Sequence, residues 1–219
     1  MTSELEIVEF FTSIQGESTF TGLPCHFVRL AGCNLSCNFC DTPYSQSKDG
    51  AIKITLDNIF ETVYNHKIKL IEFTGGEPLL QMDGVVRACR MLVDHATILI
   101  ETNGSLSIEE FKSAPNNVIL IMDCKTPSSR MSEQMHWANY LYLRPVDEVK
   151  FVVSNREDFD YARKIVEEFE IEDHKLLISP AYTKIGLEDL ANWILTDAPY
   201  FRLQFQLHKL IWGPTKRGV

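Results

Sequence analysis

Cys33, Cys37 and Cys40 fall within one short segment, Cys33-Asn-Leu-Ser-Cys37-Asn-Phe-Cys40, and their number matters as much as their closeness. A structural zinc site takes four donors and closes its coordination sphere. A cubane iron–sulfur cluster holds four irons, so three thiolates leave one iron free for another ligand. The triad therefore points to a cluster that binds something through its fourth iron. Two other readings stay open: a zinc knuckle completed by Cys25, His26 or Asp41, and a chance group of buried thiols. A second element, Thr74-Gly75-Gly76-Glu77-Pro78, joins adjacent glycines to an anionic acceptor. Such glycines let the backbone approach a ligand closely and expose its N–H and C=O groups. Taken alone it reads equally as a Gly-rich strand-to-helix turn.

These residues need a frame. Short β-rich runs alternate with helical stretches, and the predicted strands are Leu5–Phe11, His26–Leu30, Leu70–Thr74, Thr97–Glu101, Val118–Asp123, Glu148–Val153, Lys175–Ser179 and Arg202–Leu207. Continuous apolar runs such as Val118-Ile-Leu-Ile-Met122 suit strands buried on both faces of a parallel sheet. Between them, Leu56, Ile59, Phe60, Val63 and Tyr64 form one helical stripe; Phe159, Ala162, Val166 and Phe169 form another, and Leu187, Leu190, Ala191 and Ile194 a third. Cys89 joins Val85, Val86 and Leu92 on a further apolar face. Repeated strand–helix units predict an α/β fold with right-handed crossovers. Cys33, Thr74–Pro78, Glu101–Gly104, Asp123-Cys124-Lys125 and Ser179-Pro180 each follow a predicted strand. In α/β barrels the loops at the carboxyl ends of the strands build the active site. A complete barrel takes eight units and typically ~250 residues. A chain of 219 residues therefore predicts an incomplete, open barrel of about six units, in one domain spanning 1–219.

Bulk properties narrow the partners. The net charge of −9 argues against a nucleic-acid backbone, which needs a basic surface. No apolar stretch approaches the ~20 residues of a membrane span. The segment Met1-Thr-Ser-Glu-Leu-Glu has no basic region followed by an apolar run, so the cytoplasm is the expected compartment. Six cysteines there read as thiols and metal ligands, not disulfides. A small-molecule substrate is expected.

The Cys-x3-Cys-x2-Cys triad, followed one strand–helix unit later by Gly-Gly-Glu-Pro, resembles the radical SAM enzymes. Ile14-Gln15-Gly16-Glu17, the stretch His26–Cys40 running into Asp41-Thr42, and the tail Gln206-Leu-His-Lys-Leu-Ile-Trp-Gly213 resemble the 7-carboxy-7-deazaguanine synthases among them. The likeness covers essentially the whole chain. One departure is Ser18, where that family commonly has a second glycine; it touches local backbone freedom, not the glutamate. The resemblance implies an open (β/α)6-type radical SAM barrel with added N- and C-terminal segments. It implies a carbon–nitrogen lyase of queuosine and 7-deazapurine biosynthesis. That enzyme converts 6-carboxy-5,6,7,8-tetrahydropterin to 7-carboxy-7-deazaguanine with loss of ammonia, using an adenosyl radical and regenerating S-adenosylmethionine (SAM). It implies a 4Fe-4S cluster, SAM and Mg²⁺ as cofactors, an electron donor such as flavodoxin, and a homodimer.

The resemblance also assigns roles. Cys33, Cys37 and Cys40 hold the cluster, and Thr42 holds Mg²⁺ beside the substrate carboxylate, as a hard cation that keeps several waters would allow. Ile14, Gln15, Gly16, Glu17, Arg29 and Thr74 bind substrate. Phe39, Gly76, Glu77, Glu101, Asp123, Cys124, Lys125, Ser179 and Pro180 bind SAM. The chemistry is consistent: a carboxylate accepts two neighbouring N–H bonds, so Glu17 suits the aminopyrimidinone edge of a pterin. Arg29, in an otherwise apolar strand, suits a carboxylate through a bidentate fork. Each role has a plainer competitor. Gln15-Gly16-Glu17 reads as a polar turn closing a hairpin, Arg29 as a structural partner of Glu17 or Asp41, and Thr42 as a loop cap. Trp137, Tyr140, Tyr142 and His208 read as packing residues, and Cys25 and Cys124 as free thiols. Two rival functions remain: an activase of the anaerobic ribonucleotide reductase type, which would need no pterin reader, and a non-catalytic zinc-binding module.

Overall fold

The computed structural model describes residues 3–171 and 175–219. Strand β1 (Glu4–Ile14) pairs antiparallel with β2 (Pro24–Leu30) on one side and with β3 (Ile52–Thr55) on the other. From β2 onward the neighbours are all parallel: β4 (Leu70–Gly75), β5 (Thr97–Thr102), β6 (Val118–Cys124), β7 (Glu148–Val153), β8 (Lys175–Pro180) and the two-residue β9 (Arg202–Leu203). The order β3-β1-β2-β4-β5-β6-β7-β8-β9 leaves two edges, so the sheet curves without closing, as an open barrel does.

Helices α1 (Leu56–Asn65), α2 (Met82–Leu92), α3 (Arg156–Glu168) and α4 (Leu187–Asp197) cover the connections after β3, β4, β7 and β8. Two of them, α1 and α3, begin where side chains satisfy the first free N–H groups. Thr55 accepts from the Asn58 amide at 3.2 Å and Asn155 from the Asp158 amide at 2.9 Å. The connections after β5 and β6 depart from the regular repeat, because they contain only short 3-10 turns. Pro115 and Pro127 interrupt any helical run there. The buried Asn139 replaces helical hydrogen bonding: its amide donates to the carbonyls of Gly104 and Leu106 and accepts from the Ile108 amide.

The expected strand Arg202–Leu207 is also shorter than its apolar pattern implies. The chain leaves the sheet after Leu203, and Leu207 opens the short helix α5 (Leu207–Trp212). Strand β3 has no clear sequence signal, since its four residues are half or fully exposed at the sheet edge.

Because successive strand residues face opposite ways, each inner strand carries two kinds of side chain. Ile71, Phe73, Ile98, Ile100 and Leu120 pack against the helices. The concave face is divided by height. Its lower part is apolar, formed by Cys25, Phe27, Leu70, Leu99, Ile119 and Ile121. Its upper part, at the carboxyl ends of the strands, is polar and opens into a cavity.

Candidate active site

The cysteine loop leaves β2 and folds back on itself. The amides of Gly32 and Cys33 donate to the carbonyls of Ser45 and Gln46 at 2.8 and 3.0 Å, and the Cys40 amide donates to the Cys37 carbonyl at 3.2 Å. The three thiols are free and half-buried, and all three residues line one cavity of about 670 Å³. Burial pushes the Cys33 and Cys37 thiols up from their ordinary range. The Cys33 sulfur accepts from the Leu35 amide at 3.4 Å and from the Asn103 side-chain amide at 3.7 Å.

The Gly75-Gly76 pair has a structural reason as well as a ligand-facing one. Both residues line the cavity, but a methyl group on Gly76 would overlap the carbonyls of Gly32 and Ser45. Here two backbones touch, and only glycine permits it. The amide of Glu77 then donates to the Gly32 carbonyl at 2.8 Å. The Glu77 carboxylate is 0% exposed and turned away from the cavity. It accepts from the amides of Leu79 and Asn103 at 2.9 and 2.7 Å and from the Thr102 hydroxyl at 2.8 Å. Burial raises its pKa to about 7 in spite of those bonds. Glu77 thus holds Asn103, whose amide reaches the Cys33 sulfur.

Across the cavity, the Gln15–Glu17 segment starts the connection between β1 and β2. It is both the hairpin turn of the plain reading and part of the cavity wall. Gly16 packs so closely on His208 of α5 that an added methyl would overlap the imidazole ring, and its carbonyl accepts from the Leu207 amide at 3.0 Å. Ser18, the family departure, has φ of 65°, the left-handed region that favours glycine. Its hydroxyl accepts from the Phe20 amide at 3.1 Å, which helps fix the turn.

Charge inside the cavity is closely paired. Lys150, 4% exposed, donates to Glu17 at 3.0 Å and to Glu101, and lies 3.9 Å from Asp123. Lys125 pairs with Asp123 at 2.8 Å. Burial would raise Glu17, but Lys150 and then the Gln206 amide hold it below the usual carboxylate range. Gln15 donates to Glu72, whose buried carboxyl is pushed up to about 8 by burial and by nearby Glu101. The Arg29 Nε donates to Glu9 at 2.8 Å, and the Tyr44 hydroxyl donates to the same oxygen at 3.0 Å. The expected structural partners of Arg29, Glu17 and Asp41, are not the ones found. Asp41 instead accepts from Lys209 and Gln206 of the C-terminal segment, which draw its carboxyl down to about 2 against the effect of burial.

Most of the residues singled out in the sequence meet in this one cavity: Ile14, Gln15, Gly16, Glu17, Arg29, Cys33, Cys37, Phe39, Cys40, Thr42, Thr74, Gly76, Glu101, Asp123, Lys125 and Ser179. Glu77, Cys124 and Pro180 lie outside its lining. Cys124 turns to the helix-packed side of β6, fully buried, and burial raises its thiol to about 12. The Thr42 hydroxyl makes no capping bond to the turn that follows it, and its contact is the Cys40 sulfur at 3.9 Å. Sequence reasoning missed Lys150, Glu72, Asn103 and Gln206. Lys150 and Glu72 each interrupt an apolar strand, the same signal that picked out Arg29.

The donor set fits a three-thiolate cluster. Cys25 lies at the far end of β2 in the apolar floor, and His26 bonds to Thr12 at 2.7 Å on the other face, so neither completes a zinc knuckle. Among the described residues, no three His, Cys, Asp or Glu side chains converge to hold a single metal ion. Beside the thiols, the exposed edges of β4, β5 and β6 offer backbone, carboxylate and ammonium groups to a charged, nucleoside-like ligand. Glu17, Gln15 and Arg29 add further polar groups to the same lining.

The chain resembles known proteins over almost its whole length. A sequence profile of the Radical SAM superfamily matches residues 28–150. The chain is 40% identical over 224 residues to a 7-carboxy-7-deazaguanine synthase of Clostridium acetobutylicum, covering 98% of this chain and 99% of that protein. It is 38% identical over 233 residues to one of Koribacter versatilis, covering 98% and 100%. Its fold superposes on the crystal structure of QueE from Escherichia coli with a TM-score of 0.75, over 94% of this chain and 96% of that one, at 18% identity.

Proposed function

The chain belongs to the 7-carboxy-7-deazaguanine synthases of the radical SAM superfamily, and from that membership we propose how its residues divide the work. It is a lyase that forms 7-carboxy-7-deazaguanine. The substrate in our reading is 6-carboxy-5,6,7,8-tetrahydropterin. The observation that carries the reading is the meeting of the Gln15–Glu17 segment and the cysteine triad in one cavity.

When bound, the 4Fe-4S cluster and SAM supply one-electron reductive cleavage and an adenosyl radical that takes a hydrogen atom from the substrate. Cys33, Cys37 and Cys40 hold the cluster. The backbone of Gly76 with Glu101, Asp123, Lys125 and Ser179 holds SAM, and Phe39 packs on its base. Glu77 contributes from behind, by fixing Asn103 and the glycine turn. Glu17 accepts the N–H groups of the aminopyrimidinone edge. Gln15, oriented by Glu72, bonds to the same ring. Arg29 spends its Nε on Glu9, which leaves the two terminal nitrogens for the substrate carboxylate. Thr42 binds Mg²⁺ beside that carboxylate, a role supported by the absence of any capping bond from its hydroxyl. The apolar floor and the buried ion pairs exclude water from the reacting ligands. An external donor such as flavodoxin and a homodimeric assembly go with this reading.

The test is anaerobic turnover of 6-carboxytetrahydropterin with SAM, Mg²⁺ and a reductant, followed by mass spectrometry. The expected product is 7-carboxy-7-deazaguanine with ammonia released and SAM unconsumed. Cluster-loaded protein that cleaves SAM but leaves the pterin intact would overturn the substrate assignment.

A further inference from the structure

Lys150 is the most buried cation of the cavity, and it enters from β7, a strand that supplies neither the cysteine loop nor the glycine turn. Its ammonium bonds to Glu17 and to Glu101, bringing the two carboxylates side by side, with Asp123 at 3.9 Å. We propose that Lys150 is the positioning residue for substrate recognition: it fixes the Glu17 carboxylate in place and keeps it ionised, so that both oxygens can accept from the substrate. The inference rests on the reading of Glu17 given above, and it goes beyond that reading by assigning the group that makes Glu17 competent.

The physical argument concerns what Glu17 would do alone. A carboxylate removed from water prefers to take up a proton, and a protonated carboxyl presents a donor where an acceptor is needed. Gln206 bonds to one Glu17 oxygen at 2.9 Å, but an amide supplies no charge. The other groups facing Glu17 are Asp41 from the cysteine loop, Glu72 from β4 and His208 from α5. Asp41, itself paired with Lys209, disfavours ionisation of Glu17; Glu72, raised to about 8, holds a proton of its own; and burial lowers the His208 pKa, which reduces the cationic help that ring can give. Around Lys150 itself lie Glu101, Asp123 and Lys125. The balance at Glu17 therefore turns on one ammonium.

The experiment measures substrate affinity, not turnover. Protein holding its cluster and SAM, without reductant, is titrated with 6-carboxytetrahydropterin between pH 6 and 8.5. Wild type, with Glu17 ionised throughout, should bind with at most the shallow pH profile that Glu72 and His208 impose. Lys150→Met removes the charge at similar volume, so its affinity should fall at least about tenfold from pH 8.5 to pH 6. Lys150→Arg keeps the charge and should keep the wild-type profile, even where its absolute affinity is lower. His208, Asp41 and Glu72 are present in every protein compared, so the difference between profiles belongs to Lys150. A methionine variant whose profile runs parallel to wild type overturns the proposal. If Lys150→Met does not fold, Lys150→Met with Glu101→Gln carries the same readout, because it leaves one fewer unpaired acid. Glu17→Gln separates the two levels of inference. Wild-type affinity in Glu17→Gln sinks the reading of Glu17 itself, whereas weak binding there with a Lys150→Met profile parallel to wild type sinks only the role of Lys150.

Discussion

Thr42 and Ser18 show how much can turn on one side chain. The Thr42 hydroxyl is adjacent to the cysteine triad yet does no capping, so its removal leaves the loop's backbone bonds intact. Thr42→Ala should therefore keep the cluster's absorption spectrum, lower the rate, and recover part of it as Mg²⁺ is raised. Wild-type rate with wild-type Mg²⁺ response would remove this residue from the metal site. Ser18 holds φ of 65° at a turn where glycine would be at ease. Left-handed backbone costs a non-glycine residue roughly 1–2 kcal/mol. Its hydroxyl bond to the Phe20 amide returns about 0.5–1.5 kcal/mol. Ser18→Gly should then change unfolding free energy by no more than about 1.5 kcal/mol and leave substrate binding unchanged. A loss well above that in denaturant titration would mean the hydroxyl contributes more than its single bond.

At the scale of elements, α5 closes on the β1–β2 turn at one point, where Gly16 meets His208. Gly16→Ala should push the imidazole aside and loosen α5, which disturbs the bonds from Gln206 to Glu17 and Asp41. Substrate affinity should drop severalfold. Adding His208→Ala makes room for the methyl and should restore much of the loss; a double variant as weak as the single one would mean that the contact is not what joins the two elements. This junction was beyond the reach of sequence reading, since nothing in Gln206-Leu-His-Lys says that it will leave the sheet and return to residue 16. The parallel strands were legible because burial on both faces demands continuous apolar runs, as in Val118–Met122. The helices were legible through their apolar stripes, and the cysteine and glycine motifs through their position after strands. The regular repeat was over-read after β5 and β6, where Asn139, a residue far along the chain, supplies the hydrogen bonds that a helix would have made. Glu77 was legible as a motif residue, but its inward direction was not.

For the whole molecule, the buried acids set how stability responds to pH. Glu72 has its pKa raised to about 8, against an unfolded value near 4.3. Between these values the folded chain holds a proton that the unfolded chain has lost, so stability falls as pH rises, by up to ~1.4 kcal/mol per unit. Glu77, raised to about 7, adds to the slope in the same direction. Asp41, lowered to about 2, acts elsewhere: its contribution is complete above the unfolded pKa and fades only in acid. Glu72→Gln has no such proton to lose, so its stability relative to wild type should rise steadily from pH 5 to pH 8 in denaturant titrations of the ligand-free protein. Parallel pH curves for the two proteins would show that Glu72 is ionised in the fold. The apolar floor beneath these acids has a consequence of a different kind. Cys25, Phe27, Leu70, Leu99, Ile119 and Ile121 shut the lower end of the barrel, which turns the cavity into a cul-de-sac. Traffic must pass the upper rim, along the cysteine loop and the stretch 214–219 that lines it. In such a chamber the ligand seated deepest is the first to enter and the last to leave, so the sequence of arrivals is written into the shape of the barrel.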